Sequence, residues 1–182
     1  DQPRSRGLGD VYKRQHVTES NKVISDICEW KEQLKMPELL ENCSDPALWE
    51  PFKEKAQEIR ESGKLFMAFM PTGVFERLHF LMGFEDMLMN FLLEPEDMMD
   101  LCNAIGEYRY QYMKLIVDNL HPDVMLSHDD WGSKNQLFVS PETWREFIKP
   151  QYAKTYGYMK EKGVIIIPMM DDDAVSYTHL TL

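Results

Sequence analysis

The sequence predicts an α/β fold whose sheet is parallel. Three short apolar runs carry that expectation: Leu65–Met70, bounded by Gly63 and Pro71, then Val124–Leu126, then Val164–Ile167 directly after Gly163. Short, wholly apolar, turn-bounded runs fit strands buried on both faces. Stretches of helical periodicity separate them, and buried strands joined through helices imply parallel pairing. A doubly wound sheet and a (β/α)8 barrel both satisfy this order. No glycine-rich phosphate loop follows any of the three runs, which disfavours a nucleotide-binding doubly wound sheet. A barrel takes about 250 residues, so the 182 residues here are expected to form part of a barrel, with about three parallel strands and their crossover helices.

The elements follow in chain order. Asp26-Ile27-Cys28-Glu29-Trp30 opens a short helix, and Pro37 closes that segment. Asp45-Pro46, an N-cap residue with proline at the first helical position, starts a helix expected over 46–62 and stopped by Gly63. After the first strand, 73–82 reads as a short helix with Phe75, Leu78 and Leu81 on one side, and 84–93 as a second. Glu94-Pro95-Glu96-Asp97 puts acid at the positive end of a long helix. Its apolar stripe is Met98, Leu101, Cys102, Ile105, Tyr112 and Ile116, and it must end near Leu120 because His121 precedes Pro122. Ser140-Pro141-Glu142 starts the last helix, with Trp144, Phe147, Ile148, Tyr152 and Met159 inward and Gly163 as its stop.

Composition narrows the function classes. Hydrophobic residues make up 43% and charged residues 28%, which excludes a disordered or collagen-like chain. No apolar run reaches the roughly 18 residues of a membrane helix. The net charge of -11 argues against nucleic acid, whose phosphates need a basic face. Cys28, Cys43 and Cys102 lie far apart in no metal spacing, an odd set that fits a reducing, cytoplasmic setting. The 13 methionines read as core gap-fillers.

The two ends read differently from the middle. Ser5 to Gln15 back-translates into a sequencing-library adapter, and Ala174 to Leu182 into the reverse complement of the same element. Residues 1–15 and 174–182 are therefore expected to be cloning or assembly scars. That leaves 16–173, still acidic, as the inside of a longer gene.

The stretch richest in chemistry is Ser127-His128-Asp129-Asp130-Trp131-Gly132-Ser133, directly after the second strand. Residues at the carboxyl ends of parallel strands form the sites of such folds. Adjacent carboxylates beside an imidazole suit proton transfer, because like charges push one pKa up. Asp129 and Asp130 are the candidate catalytic pair, with His128 as polar lining and Trp131 as a pocket wall. The alternative is a helix cap and a surface loop, with Asp129 capping and Asp130 solvated. The second stretch, Pro71-Thr72-Gly73-Val74-Phe75-Glu76-Arg77-Leu78-His79, also follows a strand. There Glu76 and Arg77 could pair across the mouth, or Arg77 could grip a substrate carboxylate. The alternative is a helix N-terminus with ordinary surface charges. His79, in an apolar helix, reads as a satisfied, half-buried histidine. His16 and His121 have no partner in reach by sequence. The metal spacings H-E-x-x-H and C-x-x-C are absent, as is the nucleophile elbow G-x-S-x-G.

These residues carry a family resemblance. His128-Asp129-Asp130-Trp131-Gly132-Ser133, then Leu137-Phe138-Val139-Ser140-Pro141, then Trp144-Arg145-Glu146-Phe147-Ile148-Lys149-Pro150 resemble a specific run of the uroporphyrinogen decarboxylase superfamily, a (β/α)8 barrel. Phe75-Glu76-Arg77-Leu78-His79 with Gly83-Phe84-Glu85 is similar to the corresponding family helix, and the resemblance extends over 58–167. The superfamily holds cofactor-free decarboxylases of uroporphyrinogen, in haem biosynthesis. It also holds relatives that move methyl groups between corrinoid proteins, thiols and methylated substrates, often through zinc. The decarboxylase pattern at this strand is F-D-S-W-A/G. Asp130 stands where it has a substrate-contacting Ser, and His79 falls roughly where it has a substrate-contacting Tyr.

These departures imply the methyltransferase-like branch, with a small-molecule substrate or a corrinoid protein as partner and zinc as the metal of the whole enzyme. The alternative is a decarboxylase. The zinc ligands of the branch, H-x-C, would follow Val164–Ile167, where this chain has Pro168-Met169-Met170. The decarboxylase's Arg-rich loop and catalytic Asp would lie before His16, and its C-terminal His well downstream. No metal ligand is therefore assigned in this chain, and the isolated polypeptide is expected to be inactive.

Overall fold

The structure is a computed structural model that describes residues 17–133 and 136–169. The adapter-like stretches 1–15 and 174–182 lie outside the described residues. In chain order the elements are α1 (Trp30–Gln33), α2 (Leu39–Cys43), α3 (Glu50–Glu61), β1 (Met67–Met70), α4 (Val74–Met82), α5 (Phe84–Leu93) and α6 (Pro95–Leu120). There follow β2 (Val124–His128), β3 (Gly132–Ser133), β4 (Gln136–Leu137), α7 (Pro141–Thr143), α8 (Lys149–Glu161) and β5 (Ile165–Met169).

The expected α/β architecture with a parallel sheet is present. β1, β2 and β5 form one sheet in that spatial order, and both pairings are parallel. The register aligns Ala68 with Met125 and Ile166, and Phe69 with Leu126 and Ile167. Side chains alternate along a strand, so each row belongs to one face. The face carrying Ala68, Met70 and Met125 packs on Met113, Ile116, Val117 and Leu120 of α6 and Met159 of α8. The other face lacks a covering helix among the described residues: Met67, Phe69, Ile165 and Ile167 are 53%, 48%, 56% and 44% exposed. Burial on both strand faces, expected from the apolar runs, is thus found on one. A second core joins α4, α5 and α6 to Ile24, Ile27 and Trp30 on one side and to Trp131, Trp144 and Tyr152 on the other.

The helices depart from expectation at prolines. The helix expected over 46–62 is a single 3-10 turn, Pro46–Leu48, whose Ala47 N–H is accepted by Asp45, followed by α3. Pro51 has no N–H for the Ala47 carbonyl, so the helix restarts there. The last helix is likewise divided. α7 leads into a π turn, Trp144–Ile148, before α8. Pro150 cannot donate to the Glu146 carbonyl, and a widened turn absorbs the loss. α6 ends where expected, at Leu120, with His121 left-handed at φ 45° before Pro122. On its stripe Met113, not Tyr112, is buried. The antiparallel ribbon β3–β4 was not anticipated. None of the helices among the described residues is long and apolar enough to cross a membrane.

Candidate active site

The carboxyl ends of β1 and β2 bring the two candidate stretches together. Alternation along β2 points Ser127 toward the helices and His128 toward the open face. The chain then turns and sends Asp129 back under α4. Asp129 is 2% exposed, and its carboxylate accepts five hydrogen bonds. Oδ2 takes Phe75 N–H at 3.0 Å, Trp131 Nε1–H at 2.7 Å and Tyr152 O–H at 2.5 Å. Oδ1 takes Glu76 N–H at 2.9 Å and Asp130 N–H at 3.1 Å. A carboxylate offers about four lone-pair sites, so this one is fully subscribed.

The arrangement is an N-cap supplied from a distance. Gly73, in the N-cap position of α4, has no side chain to offer the open amides. Asp129 takes those of Phe75 and Glu76, and the Tyr152 hydroxyl accepts from Val74 N–H at 3.2 Å. The close approach requires glycine, since a Cβ on Gly73 would lie 1.8 Å from Asp129 Cγ. Asp129 therefore does cap, as the alternative held, but on a helix more than fifty residues earlier. Its oxygens are directed at α4, the Asp130 amide, Trp131 and Tyr152. Burial, then the neighbouring Asp129 charge, pushes the Tyr152 phenol well above its ordinary range, so it remains a donor.

The polar pair at the carboxyl ends of β1 and β2 is His128 and Glu76. His128 Nδ1 lies 2.7 Å from Glu76 Oε2, and both side chains are mostly buried. Glu76 Oε2 also accepts Gly73 N–H at 3.3 Å. The Glu76–Arg77 pair does not form, because adjacent helical residues do not face each other, and Arg77 is exposed on α4. His79 lies one turn beyond Glu76, half-buried beside Phe75, Phe80 and Phe84. Burial lowers its pKa, against the opposing pull of Glu76 and Asp129. Asp130 is half-buried at the turn. Trp131 is 2% exposed and packs on Trp144 and Tyr152 at 5.0 and 5.1 Å between ring centroids.

Two contributors were not anticipated. Arg109, on α6 and 6% exposed, donates to the carbonyls of Pro71 (3.3 Å) and Thr72 (2.6 Å) and to Ser127 Oγ (3.2 Å). It thereby pins Thr72, a β-branched residue at φ 50°, a strained conformation that persists only when its surroundings enforce it. Tyr152, by its inward position alone, counts as an apolar contact, yet its hydroxyl joins the cap. A lone Arg in a helical stripe and a Tyr at an inward position were the available signals, but neither names its partner.

Among the described residues, no three-ligand set for the zinc implied by the resemblance lies at this end of the sheet. Among the described residues the one grouping of that kind is Cys28, Glu94 and Asp97, at the start of α6. Comparison with protein-family models, curated proteins and solved structures finds no match to this chain.

Proposed function

We propose that this chain is part of a (β/α)8-barrel enzyme of the uroporphyrinogen decarboxylase superfamily, on its methyltransferase-like side, in which His128 and Glu76 move a proton at the mouth. The observation that carries the reading is the 2.7 Å contact of His128 Nδ1 with Glu76 Oε2 at the carboxyl end of β2. With Glu76 ionised, its Oε2 accepts the Nδ1–H and fixes the ring. Nε2 is then left to give a proton to a substrate atom or take one from it. The barrel is supported by the uncovered sheet face. A doubly wound sheet carries helices on both faces. A barrel carries them outside only and fills the inner face with apolar side chains, as Met67, Phe69, Ile165 and Ile167 would do. Glu76, Asp130 and the absence of a basic ring among the described residues make this mouth a poor seat for a polycarboxylated pyrrole.

The test is steady-state turnover by the whole enzyme that contains this chain, followed through the absorbance change when methyl leaves or joins a corrinoid. Glu76→Gln and His128→Ala are expected to lower kcat about 100-fold, with little change in KM. Carbon dioxide release from uroporphyrinogen with an unchanged corrinoid spectrum would assign the decarboxylase instead.

A further inference from the structure

A second site lies away from the mouth, between α4, α6 and the segment that follows α1. A cavity of about 120 Å³ there is lined by Lys35, Arg77, Tyr108 and Arg109, with Leu81 and Ile105 among its apolar walls. Three cations and no carboxylate line it, in a chain whose net charge is -11. Arg109 is more than nine-tenths buried, yet its three acceptors are two carbonyls and a hydroxyl. Among the described residues it has no carboxylate within ion-pair distance. A buried charge is costly unless an opposite charge meets it. The side chains of Arg77 and Lys35 have no ion pair or hydrogen bond among the described residues, so their donors are available. The adjoining cleft is lined by Glu38 and Glu107. Glu107 is already neutralised by Lys154.

We propose that this cavity binds a small oxyanion, a carboxylate or a phosphate, gripped by Arg77 and Lys35 over Arg109. Arg suits both ligands because its planar donors match two oxygens at once. Tyr108 is half-buried and adds a hydroxyl. The volume equals the share of about four liquid waters. That suits a single phosphate or a small carboxylate. The site is independent of the chemistry assigned to His128 and Glu76.

The test is calorimetric titration of the full chain with inorganic phosphate, and separately with acetate, at constant ionic strength set with chloride. Saturable one-to-one binding of either ion is expected, and which one binds tells phosphate from carboxylate. Arg77→Gln is expected to weaken binding at least tenfold, and Lys35→Gln several-fold. Both are surface residues, and circular dichroism checks that the fold is kept. Lys55→Gln, on the exposed side of α3, is expected to bind as the parent chain does. Absence of saturable binding by both ions, or equal affinity in Arg77→Gln, overturns the proposal.

Discussion

At the scale of single residues, Asp129 separates two meanings of an acid at a strand's carboxyl end: a proton-transfer group or a structural acceptor. Its five donors include two amides of α4, an indole and a phenol, all in a buried setting. Asp129→Asn places an NH2 group against donors and leaves some of them unsatisfied. A loss of about 3 kcal/mol or more is expected in urea unfolding; a loss below about 1 kcal/mol would show the cap to be dispensable. His79 sets a pH dependence. Its folded pKa lies below the unfolded value of about 6.5, because burial outweighs the pull of Glu76 and Asp129. The unfolded chain therefore takes up a proton that the fold resists. Stability is full above about pH 6.5 and declines as pH falls below it. Urea midpoints measured at pH 7.5 and 5.5 are expected to differ less in His79→Phe than in the parent chain. The sequence located this neighbourhood, since both stretches follow apolar runs, but not the direction of each side chain. One residue of alternation along β2 decides that His128 lies toward the uncovered sheet face and Asp129 toward the helices, and no motif spells out that parity.

At the scale of elements, α6 was the most legible. Its acidic start, its proline at the first position and the His121-Pro122 stop bracket Pro95–Leu120. Cys102 on its buried stripe is fully enclosed, and burial alone raises its thiol far above the ordinary range. It is expected to resist a thiol reagent in the native protein and to react once urea unfolds the chain. Cys28 is exposed and Cys43 partly so, and both should react natively; three equivalent thiols would contradict the packing of α6. The divided helices were harder to foresee. Pro51 and Pro150 each sit near a helix start, where proline is also favoured. Whether such a proline begins a helix or interrupts one depends on whether the preceding turn is already wound.

At the scale of the molecule, the sheet is covered by helices on one face and, among the described residues, uncovered on the other. Both outer strands, β1 and β5, have one edge unpaired among the described residues. Open edges beside exposed apolar side chains are an aggregation liability. Phe69→Lys with Ile167→Lys is expected to shift sedimentation of the purified chain toward monomer without changing its helical circular dichroism. An unchanged sedimentation profile would mean that the bare face is not what makes chains associate. Apolar content could not show this in advance. Residues that fill a barrel and residues that pack under helices are drawn from the same set, and only the register tells them apart.

The cap on α4 has a further consequence, for the order in which the chain folds. A helix ordinarily nucleates from its own neighbours, and its first turn is the costly step. Here the acceptors for that turn arrive 53, 54 and 78 residues later. The most local of structures thus waits on some of the longest loops to close, which adds the entropy of those loops to its nucleation. α4 is expected to be a late helix, its first turn completed only when β2 and α8 have docked.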